Sequence, residues 1–324
     1  MGLVDIENLR VTFDTAAGTF PAVSGVDLSI ERGEIVGLVG ESGCGKTVTA
    51  LSTLALLSEN GRATGKIRLE GENLLEKSKD EMRRIRGNRI SMIFQEPMTA
   101  LNPVMTIGRQ LCEPLMRHGG VSRREARARA ERALDMVRVP RPAERMNNYP
   151  HQLSGGLCQR AMIAMALICD PILLIADEPT TALDVTIQAQ ILSLLTDLRE
   201  RIETAILLIT HDLGVVAELC DRVYVMYAGY VVEQADVFTL FENPQHPYTS
   251  GLLASLPRLD GDGQTLHCIP GMVPNLLEMP PGCPFEPRCG GAMEICKGSI
   301  PPLVATSDRH AVRCWRRQGG GSDE

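Results

Sequence analysis

The chain has 324 residues, a formal net charge of −7 and a pI near 5.5. This length suffices for two domains, and the acidic balance disfavours a protein that binds nucleic acid over much of its surface. The longest apolar run, residues 161–169, is far shorter than the ~20 residues of a membrane-spanning helix. The N-terminus has acidic residues early and no apolar signal segment, which predicts a protein of the cytosol.

Residues 3–30 alternate apolar and polar side chains, which predicts half-buried β-strands. Phe13 lies in this region, upstream of a glycine-rich turn. An aromatic side chain here is either part of a core or a surface on which a nucleotide base stacks. The sequence pattern leaves both interpretations open.

A phosphate-binding loop is predicted where the apolar run 34–39 meets a glycine-rich turn and a helix-compatible segment. Glycines let successive backbone N–H groups converge on phosphate oxygens, and the following helix directs its positive end at the same anion. Lys46 is expected to contact the terminal phosphates and Thr47 to bind Mg²⁺. Cys44 contributes its backbone only. The predicted nucleotide-binding residues of this loop are Gly40, Glu41, Ser42, Gly43, Cys44, Gly45, Lys46 and Thr47.

The next segments predict a strand over residues 89–95, with Gln95 at its carboxyl end, and a helical insert after it. An arginine-rich stretch of this insert, residues 117–138, also carries interleaved acids, which is typical of a solvated helix face. Towards the end of the insert lies Ser154-Gly155-Gly156, where serine is a good helix N-cap. Alone, a Ser-Gly-Gly sequence is usually a loop.

Two further apolar runs predict buried parallel strands that end in polar residues. The first ends at Asp177 and Glu178 and the second near His211. Ligands of open α/β sheets bind at the carboxyl edge of the strands. Asp177 is suited to Mg²⁺ and Glu178 to polarising an attacking water, while His211 is either an ordinary core or surface histidine or a sensor of the γ-phosphate.

These residues resemble the nucleotide-binding subunit of ATP-binding-cassette (ABC) transporters over about residues 1–235. Six motifs stand in the family's order: Gly40–Thr47, Gln95, Leu153–Gln159, Asp177-Glu178, Ala182-Leu183-Asp184 and His211. Leu157 departs from the glutamine commonest in the third motif, and Phe13 from the commoner tyrosine.

The resemblance implies an α/β P-loop fold of ABC type, with an antiparallel β subdomain and a helical subdomain. It implies that Phe13 stacks on adenine, that Gln95 helps to bind Mg²⁺ and to report on it and the attacking water, and that Glu178, His211 and Gln95 carry hydrolysis. Ser154, Gly155, Gly156, Gln159 and Asp184 are expected at the nucleotide bound by the opposite subunit of a dimer.

The C-terminal region resembles that of dipeptide, oligopeptide and nickel importer ATPases, on residues 243–249 and on Pro270-Gly271 and Gly282-Cys283. The greatest likeness is to D-type ATPase subunits of dipeptide importers. The implied function is ATP hydrolysis that powers import of dipeptides or oligopeptides. The alternatives are nickel or another solute, a soluble ABC ATPase without a transport role, or a non-hydrolysing regulatory module.

The same resemblance implies the assembly. Its predicted members are two integral membrane permease subunits, a second related ATPase or a second copy, and a periplasmic or extracellular solute-binding protein, with no nucleic acid. The chain is then peripheral, at the cytoplasmic face of the inner membrane. The predicted domains are residues 1–235, with a helical insert at about 97–165, and a small cysteine-containing extension, 236–324.

Four cysteines of this extension form the last predicted site: Cys283, Cys289, Cys296 and Cys314. Their spacing matches neither the CxxC pattern of zinc sites nor a ferredoxin run. The resemblance implies a [4Fe–4S] cluster in some family members. Zinc, disulfides and free thiols remain the alternatives.

Overall fold

The computed structural model describes residues 2–180, 188–193, 196, 204–256 and 268–318. The chain divides into two compact units. The first unit comprises Met1–Ser29, Ile35–Leu75 and Thr210–Glu324, and the second comprises Ile30–Glu34 and Glu76–Ile209.

The described residues form twelve β-strands. In chain order they are β1 (Val4–Thr15), β2 (Gly18–Ile30), β3 (Ile35–Val39), β4 (Gly61–Leu69), β5 (Glu72–Asn73), β6 (Ile90–Ile93), β7 (Leu173–Asp177), β8 (Ala205–Thr210), β9 (Arg222–Tyr227), β10 (Tyr230–Asp236), β11 (Val304–Ser307) and β12 (His310–Val312).

The helices lie between these strands. In chain order they are α1 (Lys46–Thr53), α2 (Lys79–Ile85), α3 (Pro97–Ala100), α4 (Ile107–His118), α5 (Arg123–Met136), α6 (Pro142–Arg145), α7 (Gly155–Leu167), α8 (Leu213–Leu219), α9 (Val237–Glu242), α10 (Pro247–Ala254) and α11 (Glu294–Gly298). Residues 188–193 are also helical.

The first unit contains two groups of paired strands. One is a sheet in the order β2-β1-β4-β5, in which β1 and β4 are antiparallel. The other runs β11-β12-β10-β9-β3, with β3 parallel to β9 and the remaining pairs antiparallel. The hairpin between β9 and β10 turns at Ala228 (φ 45°) and Gly229 (φ 85°), and two positive φ values in succession suit the twist of a two-residue hairpin.

The second unit contains the parallel strands β8, β7 and β6 in that order, and every residue of β6 and β7 is buried. Helices α4, α5 and α7 pack together in this unit. Ser122 caps α5 by accepting the Glu125 N–H, and Thr106 caps α4 by accepting the Arg109 N–H. In α5, Ala126 and Ala130 form a buried packing face, and arginines of the predicted solvated face, such as Arg124 and Arg127, are exposed.

Within the ranges that the structure describes, we find no helix with both the length and the apolar character to span a bilayer.

Candidate nucleotide-binding site

The predicted phosphate loop lies in the first unit, between the buried strand β3 and helix α1. Gly40 has φ +151° and Gly45 has φ +104°, a region that L-residues with a side chain rarely adopt. A Cβ atom would lie 2.2 Å from the Met226 carbonyl oxygen at Gly40 and 2.6 Å from the Ala22 carbonyl oxygen at Gly45. Both positions therefore require glycine.

The loop holds its lysine in a defined place. Lys46 is 5% exposed, and its Nζ donates to the carbonyl oxygens of Gly40 (2.8 Å) and Glu41 (3.0 Å). Its ammonium group thus lies inside the curve of the loop. Cys44 is fully buried beside it, and burial raises the pKa of this thiol.

The amino end of α1 suits an anion. Its N-cap is Gly45, which offers no capping side chain, and its first turn contains no acid. The N–H groups of that turn and the helix dipole favour a phosphate at this position. Thr47, the predicted Mg²⁺ ligand, is exposed, as are Ser42 and Gly43. These residues fit a nucleotide triphosphate with its metal ion.

Phe13, the predicted adenine-stacking residue, stacks on Phe20. The two ring centroids lie 5.7 Å apart with an interplanar angle of 28°, and both side chains are half-buried. The pair forms an aromatic surface in the first unit, and the adenine contact of Phe13 stays a prediction.

The paired acids lie in the second unit, at the carboxyl end of β7. Asp177 is the last residue of the strand and is 3% exposed. Glu178 follows with φ 46°, an uncommon conformation for a residue with a side chain, and its N–H donates to the Ile209 carbonyl oxygen at 2.9 Å. This backbone hydrogen bond joins the turn after β7 to β8.

Two glutamine side chains of the second unit form hydrogen bonds with residues of this turn. Gln95, exposed just beyond β6, donates from Nε2 to Glu178 Oε2 at 3.1 Å. Gln159 on α7 is 1% exposed and donates from Nε2 to the Pro179 carbonyl oxygen at 2.6 Å. The helix of the Ser-Gly-Gly motif is therefore bonded directly to the residue that follows Glu178.

Ser154 occupies the N-cap position of α7, but its side chain does not cap the helix. The residue is exposed, and its hydroxyl makes no capping hydrogen bond. Gly155 is also exposed, with open space where a Cβ would stand. The amino end of α7, including Gly156, is thus open to a ligand from outside the chain.

Two predicted residues complete the set. His211 is exposed, directly after β8. Its neighbour Asp212 caps α8 by accepting the N–H groups of Gly214 and Val215. Asp184 lies outside the described residues.

The predicted metal centre of the C-terminal region is wrong. Cys283, Cys289, Cys296 and Cys314 are all described, but no group of three or more His, Cys, Asp or Glu side chains in the described ranges is arranged to hold a metal ion. The structure therefore contradicts both the [4Fe–4S] cluster and zinc. Burial raises the pKa of the Cys283 thiol to about 11. All ten cysteines are free thiols.

Other contacts stabilise this region. The carboxylate of Glu233 is fully buried and accepts hydrogen bonds from the Gln245 N–H (2.7 Å), the His246 N–H (2.9 Å) and His310 Nε2 (2.7 Å). Phe285 packs edge-on against Tyr227, with ring centroids 5.2 Å apart. A buried polar network and an aromatic cluster thus stabilise this region.

Two residues that sequence analysis did not assign contact the phosphate loop. The Tyr248 hydroxyl accepts the Glu41 N–H at 2.9 Å, and Arg288 forms an ion pair with the Glu41 carboxylate at 2.7 Å. Tyr248 lies in residues 243–249, on which the resemblance of the C-terminal region rests, but the sequence around neither residue indicates this contact.

Comparison with known families gives two matches. Residues 23–181 match the ABC transporter family, and residues 232–296 match the C-terminal region of oligopeptide/dipeptide transporters.

Individual relatives match over nearly their whole length. The chain is 54% identical over 317 residues to a probable peptide ABC transporter ATP-binding protein of Sinorhizobium fredii, covering 97% of this chain and 95% of the relative. It is 52% identical to the oligopeptide transport ATP-binding protein OppD of Escherichia coli (97% and 93% covered). It is 51% identical to AppD, an oligopeptide transport ATP-binding protein of Bacillus subtilis (99% of each covered).

Solved structures give the same result for the fold. A dimeric ATP-binding cassette in a post-hydrolysis state with ADP and Pi has a TM-score of 0.65 and 30% identity, over 72% of this chain and 98% of its own. A component of the cbiONQ ABC transporter complex from Clostridium perfringens has a TM-score of 0.63 and 26% identity, over 75% and 91%.

Proposed function

Since the chain belongs to the family of ABC transporter ATP-binding proteins, we propose that it hydrolyses ATP to power the import of oligopeptides or dipeptides. It has the P-loop fold of ABC ATPases, with sheets and helices combined. The observation that carries the proposal is its near full-length identity to peptide and oligopeptide transport ATP-binding proteins, joined to the match at residues 232–296.

The roles of individual residues follow the family motifs and the local geometry. Lys46 and the loop amides bind the triphosphate, and Thr47 and Asp177, with Gln95, bind Mg²⁺. Glu178 accepts the proton of the attacking water, and the amide of Gln95 orients that carboxylate through the hydrogen bond between them. His211 contacts the γ-phosphate, and Lys46 stabilises the charge that develops on it. Mg²⁺, when bound, would supply further stabilisation of this charge.

A second subunit completes each nucleotide site. The exposed amino end of α7 provides free N–H groups and the Ser154 hydroxyl, which suit the γ-phosphate of ATP bound to the opposite subunit. The solved relative that is dimeric with ADP and Pi supports this arrangement. Gln159, buried against Pro179, links the signature helix to the residue after Glu178 instead of projecting to the surface.

The assembly is that of a peptide importer. The chain works with two membrane permease subunits, a related ATPase or a second copy of itself, and a solute-binding protein, and it lies at the cytoplasmic face of the inner membrane. We place the domain boundary near residue 235, with the helical insert at about 97–165 and the cysteine-containing extension from 236 to 324. The family match that begins at residue 232 supports this boundary.

Reconstitution tests the function. The chain is assembled with its membrane subunits, partner ATPase and solute-binding protein in lipid vesicles, and uptake of a labelled peptide library is measured with and without ATP. We expect peptide uptake that depends on ATP, and we expect Glu178→Gln to abolish it. ATP-dependent uptake of Ni²⁺ but of no peptide would favour the nickel alternative, and phosphate release without any uptake would favour the soluble ATPase.

A further inference from the structure

Glu41, the second residue of the phosphate loop, is held by the C-terminal segment, residues 236–324. Arg288 Nη1 lies 2.7 Å from Glu41 Oε2, and Nη2 lies 3.0 Å from Glu41 Oε1. This is the two-pronged geometry in which a guanidinium fork matches a carboxylate. It joins residues that are 247 positions apart in the chain.

Three further hydrogen bonds fix the side chain of Arg288. Its Nε donates to the Pro270 carbonyl oxygen (3.0 Å), Nη1 also donates to the Tyr227 hydroxyl (3.3 Å), and Nη2 also donates to the Ile269 carbonyl oxygen (3.3 Å). With the two bonds to Glu41, all five guanidinium donors are used. The side chain is 5% exposed, and the hydrogen bonds to Glu41 raise its pKa.

The backbone of Glu41 is held from a second side. Its N–H donates to the Tyr248 hydroxyl at 2.9 Å. Tyr248 is fully buried, with its ring centroid 4.7 Å from that of Tyr227 and 5.5 Å from that of Phe285. The Glu41 carbonyl oxygen accepts from Lys46 Nζ at 3.0 Å. Glu41 therefore connects the C-terminal segment directly to the lysine of the loop.

We propose that Arg288 and Tyr248 are positioning residues for the nucleotide triphosphate, acting through Glu41. They hold Glu41 by its carboxylate and its N–H, and the carbonyl oxygens of Gly40 and Glu41 place Lys46, so the loop is already in its binding conformation before nucleotide arrives. Preorganisation of this kind raises affinity because less ordering is left for the ligand to impose. The inference rests on the proposed function, since it assigns these residues to the same ATP site.

The first test compares two arginine variants of the full chain. Arg288→Met removes the fork from Glu41. Arg313→Met is the matched control, because Arg313 lies half-buried in the same segment and donates to the carbonyl oxygens of Val231 and Pro301. Dissociation constants for Mg²⁺ with a non-hydrolysable ATP analogue are measured by calorimetry. We expect Arg288→Met to bind about tenfold more weakly, and Arg313→Met to bind as the wild type does.

Steady-state kinetics separate positioning from general destabilisation. Arg288→Met is expected to raise KM with kcat at saturating ATP little changed, because the variant alters binding and leaves the hydrolytic residues in place. Arg288→Lys is expected to restore part of the affinity. Wild-type affinity and KM in a folded Arg288→Met chain would overturn the proposal.

Tyr248→Phe keeps the proposal testable if loss of Arg288 unfolds the segment, because it removes only the hydroxyl. It is expected to weaken nucleotide binding severalfold. Glu41→Gln combined with Arg288→Met is expected to cost little more than Arg288→Met alone, since both changes break one contact. A wild-type chain that binds no ATP would refute the proposed function. A wild-type chain that binds ATP, with Tyr248→Phe and Arg288→Met unaffected, would refute this inference alone.

Discussion

Gln95 Nε2 donates a 3.1 Å hydrogen bond to Glu178 Oε2 across 83 positions of the chain. Strands β6 and β7 are parallel, with Ile93 paired to Ala176, so their carboxyl ends bring these two side chains together. The amide therefore contacts the acid that we place at the attacking water. Through this contact, a change at Gln95 alters the orientation of Glu178 without altering its charge.

We expect Gln95→Ala to lower kcat for ATP hydrolysis about tenfold, because one hydrogen bond to a charged group is lost while the carboxylate remains. Phosphate release at saturating ATP measures this. Gln318→Ala is the control, since it also removes one amide hydrogen bond, from Gln318 Nε2 to the Pro302 carbonyl oxygen. Equal kcat values for Gln95→Ala and Gln318→Ala would show that the contact has no role in hydrolysis.

Glu178→Gln is expected to retain ATP binding and to lower kcat at least about a hundredfold, because the amide cannot accept the proton of the attacking water. Calorimetry measures the dissociation constant of ATP, and phosphate release measures kcat. Glu242→Gln, which changes an exposed acid at the end of α9, is the matched control. Undiminished turnover in Glu178→Gln would remove this residue from its role.

The local elements of the ATP-binding region could be predicted from the sequence. The apolar run before Gly40 predicts a buried strand, and all five residues of β3 are buried. The run ending at Asp177 likewise forms β7, and the predicted glycine-rich turn has positive φ values at Gly40, Gly43 and Gly45. Such patterns are local, and each records the burial of one element or the backbone of one turn.

The long-range contacts could not be predicted. Arg288 and Glu41 are 247 positions apart, and His310 and Glu233 are 77 positions apart. The sequence around Arg288 does not indicate its partner, and neither does the sequence around His310. The four cysteines of the C-terminal segment gave the opposite error, because the family resemblance implied a [4Fe–4S] cluster, whereas no group of side chains in the described residues is arranged to hold a metal ion. Which distant side chains meet is decided by tertiary packing, not by local pattern.

A role of Ser154 in binding nucleotide can be distinguished from a role in capping α7. Ser154→Ala is expected to leave the free energy of unfolding nearly unchanged, because its hydroxyl makes no capping bond. In the Glu178→Gln background, where ATP is not consumed, it is expected to weaken ATP-dependent dimerisation about tenfold through a lost hydrogen bond to phosphate. Light scattering across protein concentrations measures the dimer.

Ser122→Ala is the matched control for this experiment. The Ser122 hydroxyl accepts the Glu125 N–H and caps α5, so its loss is expected to cost about 1 kcal/mol of unfolding free energy without changing dimerisation. If Ser154→Ala dimerises with ATP as the parent does, the amino end of α7 is not part of the shared nucleotide site.

His246 makes the stability of the C-terminal segment depend on pH. It caps α10, and its Nδ1 accepts the Tyr248 N–H at 3.1 Å, which requires that nitrogen to be unprotonated. Burial, with a smaller effect from the Arg313 charge, lowers the pKa of His246 to about 3. The unfolded chain, with a histidine pKa of about 6.5, therefore binds more protons than the folded chain between these two values.

Stability is consequently full above pH 6.5 and falls as the pH drops from there towards 3. From pH 7 to pH 5, His246 alone is expected to lower the unfolding free energy by about 2 kcal/mol. His246→Asn keeps a side chain that caps a helix but does not titrate, so its loss over the same range is expected to be smaller by that amount. Urea titrations at both pH values measure the difference, and parallel losses in the two proteins would show that His246 is not the titrating group.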